Sequence, residues 1–151
     1  MSHEPVPDYI VDTVRGLYCD GQLPALGGHL SFRDPLVRID TLRQSLRMFQ
    51  TLRRLFPRSE LTYFEPLETT PQSEERTTTS YRMEVCYRRS VSGPGHPVRS
   101  HLAVTTEGGV VVQLVEDWKA PLQLRASSAP ALHGARSLLG RLCGLSLRSH
   151  R

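Results

Sequence analysis

The spacing of apolar positions along the chain predicts two amphipathic helices, a short extended piece between them, and then four strands in a row. In YIVDTVRGLYC, Ile10, Val14, Leu17 and Tyr18 recur at helical intervals, and Asp8 stands where a helix cap belongs. Gly21 and Pro24 stop this helix, and a short turn of helix fits residues 22–27 before Gly27 and Gly28. His29 to Phe32 reads as extended, because Pro35 restricts Asp34. The second helix spans about Ile39 to Phe56. Leu42, Leu46, Phe49, Leu52 and Phe56 make its apolar stripe, widened by Ile39, Met48 and Leu55. Arg43, Arg47 and Arg54 lie on the opposite face, Asp40 or Asp34 supplies an N-terminal cap or early acid, and Pro57 ends the helix.

The strands are predicted near 60–68, 76–90, 97–106 and 109–118. In the first, Leu61, Tyr63, Glu65 and Leu67 alternate with Thr62, Phe64 and Pro66, so both faces are mixed and the strand belongs near an edge. Residues 69–76 read as loop. The second strand alternates cleanly, with Thr79, Tyr81, Met83, Val85 and Tyr87 on one side and Arg82, Glu84, Cys86 and Arg88 on the other. SVSGPGHP is a turn cluster. Val98, Ser100, Leu102 and Val104 then share one face, Arg99, His101 and Ala103 the other. Glu107-Gly108-Gly109 makes a tight turn into VVVQLVEDW, whose branched residues suit a central strand. A helix lying across a curved sheet of this kind buries one core, and that core tends to a cup.

This organisation puts one α+β domain at 1–120 and a C-terminal extension at 121–151. The extension holds a short amphipathic helix at 131–143 carrying Leu132, Leu138, Leu139 and Leu142. It packs back on the domain, hangs as a loose appendage, or offers its leucine face to a membrane or partner; the sequence leaves these open.

Composition changes the picture little. At 151 residues the chain is long enough for a core without metal or disulfide staples. No apolar run reaches the length of a membrane span. The acidic, proline-bearing start MSHEPVPDYIVD lacks the apolar stretch of a secretory signal, so an intracellular, cytoplasmic location is the default. The 3 cysteines lie far apart, with no Cys-x-x-Cys or Cys/His cluster, which points away from zinc sites and disulfide frameworks. The net charge of +4 is almost wholly arginine, since Lys119 is the only lysine. Arginine is the better phosphate fork, but these arginines are scattered among acids. Nucleic acid is therefore a third-rank partner, requiring Arg43, Arg47 and Arg54 to merge with Arg82 or Arg88 in one patch.

Candidate chemistry rests on a few side chains. Asp34, in Phe32-Arg33-Asp34-Pro35, is either a turn or cap aspartate or a general base at the mouth of the cup. His101 points into the pocket if its face is concave and to solvent if convex. Glu116 and Asp117 are adjacent on a strand and so face opposite ways. Glu116 shares its face with Leu114 and Trp118. An inward carboxylate needs a partner, for which Tyr81, Tyr87 and Arg82 are cross-strand candidates. Phe32, Phe49, Tyr63, Tyr81, Glu116 and Trp118 are the expected pocket lining. No phosphate loop, dinucleotide fingerprint, zinc-protease motif or nucleophile elbow is present, and no metal or cofactor is expected.

The order of elements and three short words resemble the nuclear-transport-factor-2-like (NTF2-like) superfamily, which includes SnoaL-like polyketide cyclases and ketosteroid isomerases. The words are Phe32-Arg33-Asp34-Pro35-Leu36, Leu55-Phe56-Pro57 and Val111–Trp118 after a Gly-Gly turn. The chain most resembles an uncharacterised, DUF2358-like branch with a phenylalanine–x–aspartate–proline motif, over residues 8 to 120. The resemblance implies an α+β cone: a strongly curved mixed sheet wrapped around helices, with a cavity open at one end. Many members carry a histidine in the last strand two residues before an acid; here that position is Leu114, before Glu116.

The expected function is a non-catalytic domain that binds a small hydrophobic ligand, or a scaffold for a homodimer or protein partner. The alternative is a cofactor-free isomerase, lyase or cyclase. In it Asp34 abstracts a proton beside a carbonyl, and Tyr81 or His101 stabilises the enolate oxygen.

Overall fold

The computed structural model of the protein describes residues 6–19, 23 and 26–118. Its elements run α1 (Asp8–Tyr18), β1 (Ser31–Arg33), β2 (Arg38–Ile39), α2 (Leu42–Leu55), β3 (Glu60–Pro71), β4 (Arg76–Tyr87), β5 (His96–Glu107) and β6 (Val110–Asp117). The described strands form one sheet in the order β2-β1-β6-β5-β4-β3. Only the β1–β6 pair is parallel, so the sheet is mixed. β6, the most apolar strand, is interior, and β3 is an edge.

The first helix begins at Asp8, but Asp8 is not its cap. Pro7 occupies that place with φ −56°, a geometry its ring enforces, and no side chain caps the helix. Ile10, Val14, Leu17 and Tyr18 are all buried. The second helix starts three residues later than its apolar pattern suggests. Ile39 pairs with Phe32 in the short β1–β2 hairpin, and Thr41 is the cap, its Oγ1 accepting from the Gln44 amide at 3.2 Å. Neither Asp40 nor Asp34 caps the helix. Met48, Phe49, Leu52 and Phe56 are buried beneath it, with Leu42 and Leu46 packed at the margin. Leu55 turns out of the stripe and is exposed, as are Arg43, Arg47 and Arg54. Ser45 sits inside the stripe, fully buried, because its hydroxyl donates to the Leu30 carbonyl at 3.0 Å.

Two register shifts in β3 explain its mixed faces. One falls between Leu61 and Tyr63, the other between Pro66 and Glu68. Each inserts an extra residue and switches the alternation. Leu61 and Phe64, three apart, thus both pack against the core, opposite Val85 and Met83. Tyr63 and Glu65 fall opposite Glu84 and Arg82 on the outer face. β3 runs on through Thr69, Thr70 and Pro71, where loop was expected. These residues are exposed, so no apolar alternation marked them, and the Thr69–Thr79 hydroxyl pair at 3.2 Å lies in this stretch.

The concave face carries Tyr81, Met83, Val85 and Tyr87 from β4, Val98, Leu102 and Val104 from β5, and Val111 and Leu114 from β6, all buried. Both helices supply buried side chains to the same cluster. The β5–β6 turn needs two positive φ angles, 58° at Gly108 and 78° at Gly109, which glycine adopts at little cost. The proposed C-terminal extension and its helix at 131–143 lie outside the described residues, as do Gly21 and Pro24. Residues 23, 26 and 27 are described and are not helical. No helix among the described residues is long and apolar enough to cross a membrane.

On the outer face Glu84 straps three strands. It accepts from Thr62 Oγ1 at 2.6 Å and from Arg99 Nε at 2.9 Å. The Thr62 bond, then Arg99, hold its carboxyl below the ordinary value, against a smaller opposing push from burial. A lowered folded-state pKa stabilises above the unfolded value, and the benefit disappears as pH falls through the folded one. Glu84→Gln is therefore expected to reduce stability at pH 7 by up to about 1 kcal/mol, Arg99 being well exposed. Urea titrations at several pH values should show the gap between variant and parent closing in the acid range.

Candidate functional site

Glu116 is the buried carboxylate around which polar groups gather inside the fold. β6 aims it inward from beside Leu114, and it is 2% exposed. A carboxylate in that position requires hydrogen-bond donors. Tyr18, in the last turn of α1, donates its hydroxyl to Oε1 at 2.6 Å. Trp118 donates its indole N–H to Oε2 at 2.8 Å. Tyr18 in turn meets Phe49 edge-on at 4.9 Å, and Phe49 meets Phe32 at 5.1 Å. Phe32, Phe49, Glu116 and Trp118 from the expected lining are thus gathered in one region, joined by Tyr18.

The Tyr18 donor comes from outside the cross-strand candidates Tyr81, Tyr87 and Arg82. Cross-strand reasoning looks only to neighbouring strands, whereas the donor arrives from a helix 98 positions earlier. Tyr18 was legible as an apolar-face residue of α1. The extra signal was chemical: a phenol on a buried face needs a partner for its hydroxyl.

Asp34 is 7% exposed and held by its own turn. Its Oδ1 accepts from the amides of Leu36 and Val37 at 2.8 and 2.7 Å, and its amide donates to the Val37 carbonyl at 2.9 Å. This closes the turn between β1 and β2. Tyr81 stands on the concave face but three strands away, roughly 14 Å along the sheet. There it stacks on Phe64 at 4.3 Å. Burial pushes its phenol above the ordinary value, Thr79 opposes this, and Tyr9 adds to it.

His101 lies on the outer face, in register with Arg82 on one side and Asp117 on the other. The convex alternative holds for it, and it does not converge with Asp34 or Tyr81. Tyr63 is 42% exposed on the outer face and donates its hydroxyl to Glu65. It is no part of an interior wall, because the first bulge in β3 turns it outward. Among the described residues no three His, Cys, Asp or Glu side chains gather closely enough to hold a metal ion.

The Tyr18–Glu116 bond generates a direct test. Tyr18→Phe keeps the ring packing and removes one donor, so unfolding in urea should show a loss of about 1.5–3 kcal/mol. An unchanged midpoint would remove this bond from the stabilising interactions.

No family model matches this chain, and no curated protein sequence does. Solved structures match it in shape. A de novo designed protein with a curved β-sheet aligns with TM-score 0.52 at 8% identity, covering 91% of this chain and 99% of that one. TerC, co-crystallised with polyporic acid, aligns with TM-score 0.50 at 14% identity, covering 85% and 95%. A candidate SnoaL-like polyketide cyclase from Jannaschia sp. CCS1 aligns with TM-score 0.48 at 16% identity, covering 91% and 97%. At such identities the likeness concerns fold alone. What is shared is an α+β architecture with a curved sheet, here a mixed one, and helices packed against one of its faces.

Proposed function

We propose that this chain is a binding domain, not a catalyst, and that the interior between its concave sheet face and its helices receives a small hydrophobic molecule. The observation that carries this reading is the set Tyr18, Glu116 and Trp118: a few oriented polar groups against an aromatic and aliphatic interior. Binding sites for small apolar molecules have this composition. TerC, which is similar in fold, was co-crystallised with polyporic acid, which supports a ligand-binding use of a similar architecture.

The enzyme reading needs a base and an oxyanion donor on one substrate. Asp34 is engaged with two backbone amides, Tyr81 is three strands away, and His101 is on the other face. These positions favour the binding reading. The same turn supports placing the chain in the branch with the phenylalanine–x–aspartate–proline motif, where the aspartate then serves structure. We take residues 1–120 as the binding domain, residues 121–151 as an extension, and the cytoplasm as its place of work.

Native mass spectrometry of the protein from its own cells, followed by denaturation, tests this. A hydrophobic molecule released at near one-to-one ratio is the expected result. An empty protein held in a stoichiometric homodimer or hetero-complex would shift the function to the outer surfaces and sink the ligand-binding reading. Asp34→Asn retains Oδ1 and should leave ligand occupancy within about twofold of the parent. A large loss of occupancy in that variant would count against a purely structural Asp34.

A further inference from the structure

Ser100 stands on the inner face of β5, between Val98 and Leu102, and is 4% exposed. Its hydroxyl is the buried side-chain polar atom that has no hydrogen-bond partner among the described residues. Five other buried hydroxyls are used. Thr13 donates to Tyr9, Ser45 to Leu30, Ser59 to Phe56 and Tyr18 to Glu116, and Thr105 pairs with Thr78. A buried hydroxyl without a partner loses hydration and gains nothing in return.

Its surroundings are specific. Ser100 faces Met83 across β4–β5. Leu102 faces Glu116 across β5–β6, so Ser100 is the diagonal neighbour of Glu116 on the same face. Both oxygens of Glu116 already accept a bond, from Tyr18 and Trp118. Asp34 is the other buried ionisable acid. It directly follows β1, whose Phe32 and Arg33 run parallel to Leu114 and Val115, and so lies at the same end of the β1–β6 pair as Glu116. No lysine, arginine or histidine is among the buried described residues.

We propose that Ser100 Oγ anchors the one polar group of the interior ligand, and that this group is a neutral carbonyl or hydroxyl, not a carboxylate. The inference rests on the binding reading above and names its ligand class. A serine hydroxyl donates to a ketone and both donates to and accepts from an alcohol. A ligand carboxylate at Ser100 would lie beside the Glu116 carboxylate in a low-dielectric interior, where like charges repel.

Trp118 is the only tryptophan, and its indole is bonded to Glu116, so its emission reports on this site. The test titrates the full chain at neutral pH with 2-decanone, 1-decanol and decanoic acid. Ketone and alcohol should change Trp118 emission, and decanoate should bind at least about tenfold more weakly. Ser100→Ala should weaken ketone and alcohol binding about tenfold while leaving the thermal midpoint equal or higher, since it deletes an unpartnered hydroxyl. A variant that binds like the parent, or decanoate binding as tightly as decanol, would overturn the inference and leave the interior as a binding site. Silence from all three probes overturns the inference too, and the native mass spectrum then decides whether the binding reading falls with it.

Discussion

A carboxylate withdrawn from water has to be met by donors, and the meeting of Glu116 with Tyr18 orders much of what surrounds it. Glu116 belongs to the sheet and Tyr18 to α1, so the bond fixes the last turn of that helix over β6. Phe49 packs against the edge of Tyr18 and carries α2 with it. Phe32, packed on Phe49, carries β1. Arg53 of α2 adds a second tie, donating to the carbonyl of Leu17 at 2.9 Å. Apolar burial supplies the drive for this packing but is indifferent to small rotations. The hydrogen bonds remove that indifference.

The fold was largely legible because period and punctuation agree over most of the chain. Phe49, Leu52 and Phe56 mark a helix face, Met83, Val85 and Tyr87 a strand face, and two glycines mark the tightest turn. Legibility failed where one residue satisfies two patterns. Ile39 fits the helical stripe and also pairs in a two-residue strand, and only the chain's return from Phe32 decides between them. It failed again in β3, where a bulge makes Leu61 and Phe64 share a face that strict alternation assigns to opposite sides.

The site was legible in part. The opposite faces of Glu116 and Asp117 follow from strand geometry alone. Phe49 followed from apolar spacing, and Phe32 from the extended reading of His29 to Phe32. Tyr18 did not emerge as the partner of Glu116, because the contact spans α1 and β6 and no local pattern records it. Ser100 looked like an ordinary inner-face residue, since a missing partner is a property of three-dimensional surroundings. Asp34 carried both a turn reading and a base reading, and its bonds to Leu36 and Val37 give the turn its physical content.

The two bulges of β3 reach beyond the local alternation they disturb. An open sheet presents its outermost strands to other molecules, and a straight, regular border invites another strand to add on. One border here is β2, with a paired length of two residues. The other is β3, whose ladder changes step twice and which contains Pro66 and Pro71 among Glu60, Glu65 and Glu68. A border broken in this way makes a poor template for fibril growth, so the irregularity that obscured β3 in the sequence also keeps the open sheet from extending itself.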